Sequence, residues 1–124
     1  MHARKGFGHS RIWWLLNDND NCQPASLLAE FRVRHKDTYD RMLATLDYTD
    51  RHGPPPDPGH YKPLSIGLVE FKVSSPSVLR LYAMPANGGW LIVYAGGSKS
   101  TQRRDIAQAR KRVTEVKKRG CDFE

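Results

Sequence analysis

A chain of 124 residues and 14.1 kDa has room for one hydrophobic core and not for two, because domains run to roughly 100–150 residues. Its net charge of +7 is confined to one place: Ser98 to Arg119 carries nine basic and two acidic residues, 9 − 2 = +7, and the rest balances at 11 − 11 = 0. No window approaches the ~18 apolar residues of a membrane span, and Ile12–Leu16 falls short of the ~7–15 of a signal-peptide core, so a cytoplasmic protein is expected.

In chain order, residues 1–10 are polar and Gly-rich and read as a loose segment ahead of a core spanning 11–119, with 120–124 as a tail. The run RIWWLL, Arg11 to Leu16, closed by the turn-rich NDNDN, reads as a first strand. Pro24 suits a first helical turn, after which Leu27, Leu28 and Phe31 fall at helical spacing. A second helix is capped by Asp37 and carries Tyr39, Met42, Leu43 and Leu46 on one side. It ends before Gly53–Gly59, where four prolines in seven residues exclude a helix.

From Gly67 the period becomes two. LVEFKV places Val69, Phe71 and Val73 on one side and Leu68, Glu70 and Lys72 on the other. VLRLYAM divides into Leu79, Leu81 and Ala83 against Val78, Arg80, Tyr82 and Met84. Asn87-Gly88 signals a hairpin, and WLIVYA is the near-continuous apolar run of a strand covered on both faces. A closing helix shows Ile106, Ala109, Val113 and Val116 as one narrow stripe. Arg103, Arg104, Arg110, Lys111, Lys117 and Lys118 take its other sides. The expected fold is α+β in the order β-α-α-β-β-β-α, a small antiparallel sheet with helices on one face and the other face open.

Register decides whether that open face carries a site. A loop of Ser75-Pro76-Ser77 sets Lys72 opposite Arg80 and Glu70 opposite Tyr82, whereas a four-residue loop turns Arg80 into the helix-packed core, where an unpaired charge is costly. In the first register Arg80 can fork onto two phosphate oxygens, Lys72 adds a point charge and Glu70 can take a proton. Without a ligand, the same residues form an ion pair on a wet sheet. Trp13, Trp14 and Trp90 read as core or edge packing. The five histidines and the cysteines Cys22 and Cys121 have no metal-ligand spacing, so no metal or other cofactor is expected.

The motifs GLVEFKV, VLRLY and KSTQRRDIAQARKR, in that order, resemble the RelE/HigB superfamily of type II toxins, in particular its phage-related HigB-like branch. The matching positions are Gly67, Leu68, Glu70 and Lys72, then Arg80 and Tyr82, then Lys99, Thr101 and Gln102, then Ile106 and Ala109. DTYDRMLATLDYTDRHGPP and YKPL resemble the preceding helix and the approach to the sheet, so the likeness covers about residues 24 to 115. Lys72 stands where the branch prefers Arg. The link from Gln102 to Ile106 is short, and the general acid that several relatives carry near the C-terminus has no counterpart.

The resemblance implies a metal-independent endoribonuclease toxin that cleaves mRNA on the ribosome and is neutralised by a cognate antitoxin, expected to be a helix-turn-helix protein. On that reading Arg80, Lys72 and Lys99 stabilise charge on the phosphate, Glu70 acts as base and Tyr82 orients the nucleotide. Gln102, Arg103, Arg104 and Lys111 bind RNA, a contact that weakens with salt. Arg80→Ala then removes toxicity and leaves the fold intact. The alternative is a non-catalytic basic module that binds nucleic acid or an acidic partner protein. The nuclease reading, with Arg80 on the phosphate, requires position 80 to face outward.

Overall fold

The computed structural model describes residues 1–65 and 67–124. Seven strands and three helices follow one another as β1 (His2–Lys5), β2 (Ile12–Leu16), α1 (Gln23–Arg34), α2 (Lys36–His52), β3 (Tyr61–Ser65), β4 (Leu68–Val73), β5 (Leu79–Ala86), β6 (Gly89–Gly96), α3 (Gln102–Arg119) and β7 (Asp122–Phe123). The class is α+β, but the sheet is neither small nor antiparallel throughout. Its order is β3-β4-β5-β6-β2-β1-β7, with β2 parallel to β6 and β7 parallel to β1. Strands β1, β3 and β7 lie outside the expected β-α-α-β-β-β-α order.

Both ends of the chain are built in. The segment expected to be loose pairs His2–Lys5 with Trp13–Leu16 and buries Ala3 completely. The expected tail adds two residues to the sheet edge, where the Asp122 and Glu124 N–H groups donate to the Met1 and Ala3 carbonyls. Composition suggested looseness, yet an edge strand needs only backbone groups and one inward side chain. His9 is buried as well, its Nε2 2.6 Å from Asp47 Oδ1.

Local signals explain most elements. Pro24 occupies the first turn of α1. In α2 the cap is His35 with no side-chain cap bond, and Asp37 sits instead within the first turn, where a negative charge still favours the helix dipole. Asn87 (φ 51°) and Gly88 (φ 78°) form the two-residue turn that pairs Ala86 with Gly89, as a primed turn demands of its central residues. All five residues of β2 are buried because the strand has neighbours on both edges and cover on both faces.

Two cores flank the sheet. Val69, Phe71, Val73, Leu79, Leu81 and Ala83 pack with Leu28, Phe31, Met42 and Leu46 of α1 and α2. Leu68, Tyr82, Met84, Leu91 and Val93 pack with Ala109, Val113 and Val116 of α3. Helices therefore lie on both faces, and the face expected to be open is covered by α3. The stripe that made α3 amphipathic had to be buried somewhere, and the first face was already full.

Candidate functional site

The strand register is the expected one: Glu70 pairs with Tyr82 and Lys72 with Arg80, and the rows continue outward to Lys62 opposite Glu70 and inward to Gly96 opposite Arg80. Lys62, Glu70, Tyr82, Lys72 and Arg80 thus share one face. That face is not open at Arg80, which is 3% exposed, as is Glu70. Arg80 Nε donates to Glu70 Oε1 at 2.9 Å along the diagonal between neighbouring strands, and Arg80 Nη1 reaches the Ser98 carbonyl at 3.5 Å. The outward guanidinium expected from the sequence is corrected here: the register argument held, but the N-terminal turn of α3 and its approach close over position 80.

Asp105 completes that closure. It is 5% exposed, and its Oδ2 accepts from Thr101 Oγ1 at 2.8 Å. It lies against Gly96 so closely that a Cβ there would fall 2.2 Å from Oδ2; the glycine is the space the carboxylate occupies. Sequence reasoning passed over Asp105, although a signal exists, since it stands four residues before Ala109 in the same buried stripe. Tyr82 is fully buried, and its hydroxyl has no hydrogen-bond partner among the described residues. Burial, reinforced by the negative charge of Glu70, pushes its pKa well above the usual range. A buried phenol under α3 does not orient a nucleotide, so that expected role is withdrawn.

The accessible part of the cluster lies one strand further out. Pro58, Tyr61, Lys62, Glu70, Lys72 and Gln102 line a polar depression of about 50 Å³. Pockets that enclose whole small molecules begin at roughly 300 Å³. This depression therefore suits one group on a chain that otherwise lies outside it. Lys62 is exposed, Lys72 and Gln102 are half-buried, and Glu70 contributes to the lining with Arg80 behind it. Lys62 entered the sequence reading only as part of YKPL; its pairing with Glu70 across β3 and β4 was not legible without the edge strand.

Helix α3 extends from this depression. Arg103, Arg104, Arg110, Lys111, Lys117 and Lys118 are all exposed and recur as pairs every seven residues. Seven residues are close to two turns, so the pairs stack along one side of the helix. Of the nine cations in Ser98–Arg119, Arg112 pairs with Glu115 and Arg119 with Asp18, which leaves 9 − 2 = 7 without an acidic partner among the described residues. Lys99, Arg103, Arg104 and Lys111 are among those seven. Trp13 and Trp14 are core residues as expected, and Trp90 is partly buried against its core. Among the described residues no cluster of His, Cys, Asp and Glu is set to hold a metal, and no helix is long and apolar enough to cross a membrane.

No family model and no solved structure matches the chain. Over 52 residues it is 36% identical to an uncharacterized protein of Haemophilus influenzae, a stretch covering 42% of this chain and 52% of that one. The chain thus spans about half the length of that relative. The likeness to RelE/HigB toxins rests on the motifs quoted above.

Proposed function

We propose that the protein is an RNA-cleaving toxin of the RelE/HigB type whose reacting phosphate sits in the depression between β3, β4 and the start of α3, not on Arg80. The observation that carries this reading is the row Lys62–Glu70, with Lys72 beside it, opening next to Gln102 where the unpaired cationic stripe begins. The stripe holds the RNA backbone. Glu70, oriented by Arg80, takes the proton of the 2′-hydroxyl as that oxygen attacks the adjacent phosphorus. Lys62 and Lys72 offset the charge gathering on the phosphate oxygens. The P–O5′ bond breaks, the leaving oxygen takes a proton from the Lys72 ammonium, and the products are a 2′,3′-cyclic phosphate and a 5′-hydroxyl. Ribosome dependence and neutralisation by a helix-turn-helix antitoxin belong to the same proposal.

Brief induction followed by mapping of cellular RNA ends tests it. The native chain should generate new 5′-hydroxyl ends, and Glu70→Gln should lower their yield by about 10²-fold or more when normalised to folded, RNA-binding protein, a normalisation needed because the substitution leaves the buried Arg80 without its counter-charge. Equal yields from both would remove Glu70 from the chemistry. A second reading, the non-catalytic basic module, is favoured by one observation: Arg80 and Glu70 are each 3% exposed and each other's counter-charge. It predicts RNA or acidic-protein binding through α3 with no new ends at all.

A further inference from the structure

Beyond the end of β4, on the side of α2, lies a cavity of about 250 Å³ lined by Arg41, Gly59, His60, Val73, Ser74 and Ser75. It adjoins the depression already described: Lys72 lines that one and Val73 this one, and the two side chains alternate to opposite faces of the sheet. The turn before β3 is shared in the same way, with Pro58 at the depression and Gly59 at the cavity. A strand that crosses the end of β4 from the depression therefore meets this cavity next.

Helix α2 holds the cavity in shape. Thr38 and Arg41, one turn apart on that helix, both grip the loop between β4 and β5: the Ser77 N–H donates to Thr38 Oγ1 at 3.1 Å, and Arg41 Nη1 donates to the Ser75 carbonyl at 3.0 Å. The Arg41 stem thus bridges helix and loop and forms one wall. Arg41 is exposed, and among the described residues its guanidinium makes no other hydrogen bond and has no acidic partner. A guanidinium carries five N–H donors in a fixed fork, so most of them remain for a ligand.

Acceptors are scarce around it. The Ser75 carbonyl already accepts from Arg41, and the His60 carbonyl from the Lys72 N–H at 2.9 Å. The neighbouring carboxylate, Asp57, accepts from the Gly59 N–H at 2.8 Å and stands 3.5 Å from His60 Nε2. The walls therefore favour an edge made of acceptors alone. A phosphate would use the same fork but would leave most of this space unfilled. Among RNA bases, guanine sets two acceptors, O6 and N7, side by side on one edge, and an arginine fork is its commonest specific reader. We infer that this cavity takes a guanine of the RNA strand, next to the reacting phosphate, with Arg41 donating to its O6 and N7. The inference rests on the nuclease reading for where the phosphate lies, and on Arg41 for the identity of the base.

The test uses three four-nucleotide RNAs in which 2′-O-methyl groups replace the attacking hydroxyls: one containing guanine, one with adenine in its place, and one with 7-deazaguanine, which lacks the N7 acceptor. The full chain should bind the first about tenfold more tightly than the other two. Arg41→Lys keeps the charge and a donor for Ser75 but loses the fork, and it should bind all three alike. Cellular RNA ends mapped after brief induction should carry guanine beside the break for the native chain and no base preference for Arg41→Lys. Equal affinities in the native chain, or a guanine preference that survives in Arg41→Lys, would overturn the assignment. New ends without a guanine preference would overturn it too and leave the nuclease reading standing. Guanine-dependent binding without new ends would end the nuclease reading and keep Arg41 as the reader of the base.

Discussion

The two faces of the sheet are built from the same strands and differ in what they bury. Toward α1 and α2 the positions of β4 and β5 are Val69, Phe71, Val73, Leu79, Leu81 and Ala83, all apolar. Toward α3 the alternate positions include Glu70, Arg80 and Tyr82, with Asp105 descending from the helix. Burying a carboxylate and a guanidinium often stabilises less than apolar residues of similar volume would. A fold that needed only cover would have filled both faces alike. The charged face is therefore where a role besides stability is to be sought, and it is the face whose outer margin opens at Lys62 and Lys72.

The sharpest way to break this comparison is at Arg80. Arg80→Ala leaves Glu70 buried and unpaired and should cost about 3–5 kcal/mol in urea unfolding. This reverses the expectation, drawn from sequence, that the fold would be indifferent. Its strand neighbour Leu81, facing the other way, should cost about 2–5 kcal/mol as Leu81→Ala. The distinction lies in the rescue: replacing Glu70 and Arg80 together by Leu and Met should restore most of the stability and abolish RNA cleavage, whereas no partner change restores Leu81→Ala. A fully folded Arg80→Ala of native stability would show that the pair is not buried as described.

Gly96→Ala should come next, at about 1–3 kcal/mol, because its methyl group falls on Asp105. Combining it with Asp105→Ala should recover part of that loss in a double-mutant cycle; strict additivity would mean that the two do not touch. At the rim of the α1/α2 face, Asp50 accepts from the Ser10 and Arg11 N–H groups at 2.7–3.1 Å. Burial pushes its pKa up, but the two backbone bonds together with the nearby His9 and Arg11 side chains bring the net shift downward. Its contribution is accordingly present above the unfolded value of about 3.9 and lost as pH falls through the lower folded value. Asp50→Asn should cost about 1 kcal/mol at pH 7 after allowing for exposure and should flatten the acid limb of the stability curve.

The smallest effect on stability, and a clear one on binding, belongs to α3. Arg103→Glu with Arg104→Glu should change unfolding free energy by no more than about 0.5 kcal/mol. If both residues touch phosphates, the salt dependence of single-stranded RNA affinity should fall by roughly 1.4 in slope, about 0.7 for each contact. An unchanged slope would take those two side chains out of the interface.

Much of this molecule was legible in order along the chain. Two-residue periodicity assigned the side chains of Leu68–Val73 and Leu79–Met84 to their faces, the Asn87-Gly88 pair marked the second hairpin, and the Ser75–Ser77 loop placed Lys72 opposite Arg80. These are local matters, decided by backbone sterics and by which side chains alternate. The strands at His2–Lys5, Tyr61–Ser65 and Asp122–Phe123 were not legible, because a short polar strand toward the margin of a sheet is defined by the neighbours it hydrogen-bonds to and carries little pattern of its own.

What the amino-acid order determined by itself was the α+β class, the sidedness of the central strands and the cationic stripe of α3, since each follows from a repeat over neighbouring residues. What only the tertiary structure decided was which helix covers which face, and with it the burial of Arg80, the nearness of Asp105 to Gly96 and the meeting of Lys62 with Glu70. Those outcomes depend on how apolar area is shared among elements far apart in the chain. A charged side chain becomes a buried anchor or a surface contact according to what finally lies across it.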